Sequence, residues 1–151
     1  MLSAFTFGTP FQSSEALEKI PADAQVVVGI THVTTGDDSS RNEIFWDHTM
    51  RVVDSLPAHK GYLGHKIRKQ LFGNEAWTMT VWKDEKALQN FISGEKHSDA
   101  IQNGLDAVVK ARFVRLMISK SDVPMSWDDA EKMMDEKGRD LYGRYSPQKS
   151  E

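Results

Sequence analysis

Cysteine is absent from all 151 residues, and that one absence excludes disulfide frameworks, thiolate metal sites, cysteine nucleophiles and thiol redox chemistry. No apolar run approaches the roughly 18 residues of a membrane span. The N-terminal Met1–Thr6 has no basic segment followed by an apolar stretch, so a cytoplasmic chain with no membrane partner is the expectation. An excess of positive charge is lacking too. The net charge is −3, with 27% charged and 39% apolar residues, an ordinary soluble composition that argues against a nucleic-acid partner. No glycine-rich phosphate loop, Gly-x-Ser-x-Gly elbow or paired-carboxylate spacing occurs. No His-x-x-x-His spacing announces a metal, and none is expected. What remains is histidine, carboxylate and hydroxyl chemistry, or a borrowed cofactor.

The length suits one domain of common size plus some tail. Residues 1–24 carry Gly8, Pro10 and Pro21 around a short helical stretch with Ser13 or Ser14 as N-cap, and read as an arm. Gln25–Thr34 is β-branched almost throughout and stops at Gly36, which predicts a first strand. From Arg41 to Leu56, Phe45, Thr49, Val52, Val53 and Leu56 recur at helical spacing, with Pro57 just beyond. A hairpin follows: Leu63, Ile67 and Leu71 alternate with polar neighbours, Gly73-Asn74 turns the chain, and Ala76–Trp82 returns. Asp84 opens a helix with Ala87, Leu88, Phe91 and Ile92 on one face. A second helical piece is read from His97 to Val109, and a last strand from Ala111 to Lys120 with Val114, Leu116 and Ile118 in phase. Residues 121–151 form an extension, with Ser126 starting a short helix and a frayed end.

The resulting α+β order over residues 25–120, βαββαβ, is the ferredoxin-like arrangement: a four-stranded antiparallel sheet with helices on one face. The other face is not written for water. The first strand puts Val26, Val28 and Ile30 on one side and Val27 and Val33 on the other, and the third sets Trp77 and Met79 opposite Trp82. A wet face would alternate apolar with polar residues. Both faces therefore need a cover, and a second copy of the chain, forming a homodimer through the sheet face, is the expected source of one.

The stretch Trp77–His97 resembles the central signature of the antibiotic-biosynthesis-monooxygenase-like proteins of the dimeric α/β-barrel superfamily. The shared features are a strand ending in Trp82, an acidic Asp84 opening a helix, Leu88 and an aromatic Phe91 one turn apart, and a small residue before His97. The resemblance covers residues 25–120. It implies a homodimer whose sheets face each other, a pocket between each sheet and its helices, and a superfamily range from cofactor-free oxygenases of polyketide quinones to haem-degrading enzymes. The haem-degrading pattern departs here, with Phe91 for its helix tryptophan and His32 for its strand asparagine. Fold alone does not select among these.

Histidine supplies the obvious catalytic groups, since a neutral imidazole accepts or donates a proton near pH 7. His32 shares the side of Val26, Val28 and Ile30, so it either lines a pocket or is hydrogen-bonded in the core. His48 flanks the apolar face of the first helix, facing a common cavity with His32 or standing at its boundary. These two are the candidate catalytic residues. Trp82 and Phe91 are candidates to stack on a flat substrate, beside the signature His97; plain core packing is the alternative for the aromatics. His65 is in phase with Leu63 and Ile67, and His59 reads as solvated. Arg68 and Arg115 are a candidate pair for gripping a carboxylate, or a solvated pair. The functional expectation is a small-molecule protein, as a cofactor-independent monooxygenase of an aromatic or quinone-like substrate. The alternatives are a non-catalytic dimeric binding or stress-response module and, behind both, a haem-binding protein.

Overall fold

The computed structural model describes residues 6–71, 73–94 and 105–140. The order is β1 (Thr6–Gly8), β2 (Gln12–Ser13), α1 (Glu15–Glu18), β3 (Gln25–Thr35), α2 (Ser39–Ser55), β4 (Tyr62–Gln70), β5 (Glu75–Trp82), α3 (Glu85–Ile92), β6 (Val108–Ser119), α4 (Trp127–Lys137) and β7 (Arg139–Asp140). The core strands lie in the order β4-β5-β3-β6, all antiparallel, as the ferredoxin-like reading requires. The sheet has seven strands and not four. The arm adds β1 and β2 to the outer edge of β4, and the extension adds β7 beside β6.

Helices begin where side chains satisfy their first free amides. Ser14, Asp38, Asp84 and Ser126 each accept a backbone N–H three residues on. The predicted helix from His97 to Val109 lies mostly outside the described residues. Its end is a single 3₁₀ turn, Leu105–Ala107, and Val108 already pairs with Thr35 as part of β6. Thus β6 starts three residues before Ala111, because Val108 and Val109 suit an extended strand as well as a helix.

The sheet divides the core in two. On one face, α2 and α3 bury Val27, Trp82, Val53, Leu56, Leu88 and Phe91. Gly29 leaves the room for this approach, since the methyls of Leu88 lie 3.4 Å from where its Cβ would stand. On the other face, Val26, Val28, Ile30, Met79, Val81 and Val114 form a second cluster. Its cover comes from the same chain: Leu17 of α1 and Ala130 and Met134 of α4 are buried in it, with Phe11 and Trp127 packed at its margin. Helices therefore lie on both faces, not one. The two-sided apolar pattern that pointed to a partner is accounted for within a single chain, because the arm and extension carry the apolar groups needed.

The hairpin also departs from simple alternation. The register of β4 against β5 shifts between Tyr62 and Gly64, a bulge that inserts one residue. Leu63 consequently joins the α4 side while Tyr62 and Ile67 take the α2/α3 side. Leu71 lies past the strand end and is exposed.

Met134 is 1% exposed, so Met134→Ala is expected to lower stability by about 2–5 kcal/mol in urea unfolding; an unchanged midpoint would mean that α4 is not seated on the sheet in solution.

Candidate functional site

Cross-strand register arranges the polar residues in rows. On the α4 side, Arg112 of β6, His32 of β3, Trp77 of β5 and Arg68 of β4 stand in one row across four strands. Their rings and guanidinium groups stack. His32 and Trp77 are parallel within 4° at 4.8 Å, and the guanidinium of Arg68 lies 4.0 Å from the Trp77 ring. Two carboxylates one turn apart on α4 close the row from above: Glu131 pairs with Arg68, and Asp135 Oδ1 lies 3.2 Å from Arg112 Nη1.

His32 is held at both nitrogens. Arg112 Nη2 lies 2.9 Å from Nδ1 and Glu75 Oε1 lies 2.6 Å from Nε2. A guanidinium only donates, so Nδ1 is the acceptor and the proton sits on Nε2, donated to Glu75. Burial holds the imidazole below the ordinary histidine range, and Arg112 and Lys110 act in the same direction against the pull of Glu75. A neutral ring with its lone pair already filled has no free position for removing a substrate proton.

The other face is different. Here Ile67, Thr78, Thr31 and Phe113 form a row across β4, β5, β3 and β6, and all four are only half-buried. Above this floor, Phe45, His48, Thr49 and Val52 of α2 follow a single helical stripe of half-buried positions. The end of this layer is aromatic. Trp82 is fully buried, stacks on Phe91 at 5.1 Å and donates from Nε1 to Thr80 Oγ1 at 2.8 Å; His59 meets the Phe91 ring edge-on at 5.1 Å. Trp82 and Phe91 are thus packed on each other as a wall.

Next to that wall, Tyr62 Oη and His65 Nδ1 are 2.6 Å apart. Residues three apart on a regular strand face opposite sides, so this contact exists only because of the bulge. Tyr62 Oη also lies 3.5 Å from the Gln12 carbonyl oxygen. Burial keeps His65 below the ordinary histidine range, partly offset by Asp54, and raises the Tyr62 phenol.

His32 and His48 therefore lie on opposite sides of the sheet and share no cavity. His48, Trp82 and Phe91 are on the helix-covered side, while His97 lies outside the described residues. Arg68 and Arg115 are separated by two strands; Arg115 pairs instead with Glu85 and Gln89 of α3. Sequence reasoning missed Glu75 and Arg112 around His32, and Tyr62 beside His65. Gly64 within the strand was the one available sign of the bulge. Among the described residues no cluster of three histidine or acidic side chains is suited to a metal ion, and no helix is long and apolar enough to cross a membrane.

No protein-family model matches the chain, and no curated protein matches it. Solved structures do. SnoaB, a cofactor-independent oxygenase from Streptomyces nogalater, matches at a TM-score of 0.50 and 12% identity, over 64% of this chain and 93% of its own. A provisionally named antibiotic biosynthesis monooxygenase from Nitrosomonas europaea matches at 0.53 and 10% identity, over 62% and 88%. A provisionally named monooxygenase from Fusobacterium nucleatum matches at 0.57 and 16% identity over 72% of this chain; this chain spans about half of its length, 47%. The chain shares its fold with these solved structures.

Two depressed histidines make stability depend on pH. Below the ordinary value of 6.5 the unfolded chain takes up protons that native His32 and His65 refuse, so stability is full above that value and falls as pH drops toward the native ones. Melting temperature is expected to fall between pH 7.5 and 5.5, with a shallower slope in His32→Gln; an equally steep slope in that variant would remove His32 as a source.

Proposed function

We propose that the chain is a cofactor-independent monooxygenase, acting in the cytoplasm on a small aromatic, enolisable substrate held between the sheet and α2. The observation that carries this reading is the row of half-buried apolar and hydroxyl residues Ile67, Thr78, Thr31 and Phe113 on the helix-covered side, with His48 at a half-buried position of α2 and the Tyr62–His65 pair on the same face. A fold shared with a protein named as a cofactor-independent oxygenase supports it, although identity that low carries the architecture and not the substrate. His32, read from sequence as a second base, has less support, because Arg112 occupies its lone pair.

The chemistry needs little beyond a base and a dry pocket. His48 or His65 takes a proton from a ring methylene conjugated with the substrate's carbonyl, leaving a delocalised carbanion. The apolar floor excludes water, and Thr31 and Thr78 offer hydroxyl donors to the developing oxyanion. The carbanion reduces dioxygen. One oxygen atom becomes the new carbonyl oxygen, and the other leaves as water with the two hydrogens of the original methylene. Trp82 and Phe91 bound the pocket as a rigid wall in this scheme, and His97 would complete the substrate-binding set.

Purified protein is expected to consume oxygen with an anthrone or hydroquinone-like compound, and loss of the base should lower kcat by about 10²–10⁴-fold. His48→Ala and His65→Ala, assayed singly, identify the base by which one loses turnover. Unchanged turnover in both would remove the two histidines, and no oxygen uptake by the unaltered chain would favour a non-catalytic binding module.

The homodimer through the sheet face implied by the family resemblance has less support, because α1 and α4 already fill that face. Sedimentation at tens of micromolar is expected to give the mass of one chain, 17.1 kDa. A stable dimer that persists on dilution would mean that the partner shares or displaces this cover.

A further inference from the structure

One guanidinium joins the buried imidazole of β3 to the far end of α4. His32 Nδ1 takes a hydrogen bond from Arg112 Nη2 at 2.9 Å, and Nη1 of the same guanidinium lies 3.2 Å from Asp135 Oδ1. Arg112 Nε is buried without a hydrogen-bond partner, so among the described residues these two contacts hold the guanidinium. Its two ends belong to a rigid planar fork. Withdrawing Nη2 from His32 therefore redirects Nη1 as well. Asp135 lies near the C-terminal end of α4, and β7 follows at once, pairing with β6 only at Arg112 and Phe113.

The charges around His32 leave one place for an added proton. Nε2 already donates to Glu75 of β5, so the proton goes to Nδ1, where it meets Arg112, a group that only donates. Two positive donors then face each other. The imidazole is stacked on Trp77 and keeps Glu75 as a counter-charge, while the Arg112 side chain is 24% exposed and has somewhere to go. Lys110 of β6 opposes the added proton, as Arg112 does. Beyond Trp77, Arg68 of β4 is already paired with Glu131 of α4, and Asp140 of β7 stands opposite Arg112 in register.

We propose that His32 is an acid-sensitive latch on the end of α4: protonation at Nδ1 drives Arg112 away, the Asp135 contact opens, and the last turns of α4 loosen from the sheet together with β7. The start of the helix stays seated through Glu131 and the buried Ala130. The latch is closed at neutral pH and opens as pH falls below the ordinary histidine value of 6.5, because the open form, relieved of Arg112, takes up the proton more readily than the closed one. It lies on the opposite face of the sheet from His48 and His65 and does not depend on the oxygenase reading.

The test is hydrogen exchange of the purified full chain at pH 7.5 and 5.5, read by mass spectrometry and corrected for the intrinsic pH dependence of amide exchange. Peptides covering 133–140 are expected to lose protection by roughly two- to fivefold at the lower pH, the scale of one partly exposed ion pair. Asp135→Asn, at a side chain 71% exposed, should show that faster exchange already at pH 7.5 and respond little to acid. His32→Asn keeps an acceptor for Arg112 but takes up no proton, and should abolish the response; if it does not fold, Asp135→Asn decides alone. Equal protection of these peptides at both pH values in the unaltered chain, or an acid response of full size in Asp135→Asn, overturns the latch.

Discussion

A four-stranded ferredoxin-like core has two faces, and in this chain neither can be left in water. Val26, Val28 and Ile30 point one way from β3 and Val27 the other, all at most 1% exposed, and removing such side chains from water is the main term that holds the fold together. Everything else in the molecule answers that demand. The helices α2 and α3 cover one face in the ordinary way for this arrangement. The second face is covered by α1 and α4, and two ion pairs from α4, to Arg68 and Arg112, fix where that cover sits.

That division also separates two kinds of polar chemistry. Beneath α4 the polar row is saturated around His32: each nitrogen of the imidazole has a partner, and its ring is stacked on Trp77. Groups so engaged specify position and resist protonation. Along the same face, the Nε atoms of Arg68 and Arg112 are buried without a hydrogen-bond partner. Beneath α2 the layer is less tightly closed, and His65 has a hydroxyl partner on one nitrogen while the other faces no hydrogen-bonding group among the described residues. An imidazole held on one side and open on the other is the arrangement general-base chemistry uses.

Much of this architecture was legible in the chain itself. The β-branched run over Gln25–Thr34, the strand pair turned at Gly73-Asn74, and helical spacing over Arg41–Leu56 returned the βαββαβ core because those segments are long and clearly bounded. Ser126 with its apolar followers correctly marked α4. The partner expected on the second face is a different case. The pattern requires a cover but is silent on its source, since a sheet face buries equally well against its own chain or another.

The candidate site divides along the same line. That His32 points away from Val27 and toward Ile30 follows from alternation, and sequence alone determined it. That its lone pair is occupied depends on Arg112, 80 positions away, and register across β3 and β6 decided it. His65 shows the limit most clearly. Alternation sets it opposite Tyr62, whereas one inserted residue at the bulge brings the two to 2.6 Å. Local sequence thus determined the elements, their order and their apolar faces, because these depend on neighbours three or four positions apart. Which polar groups meet, and which chain segment covers the second face, only the tertiary structure decided, because strand register and long-range packing bring together residues whose spacing in sequence carries no signal.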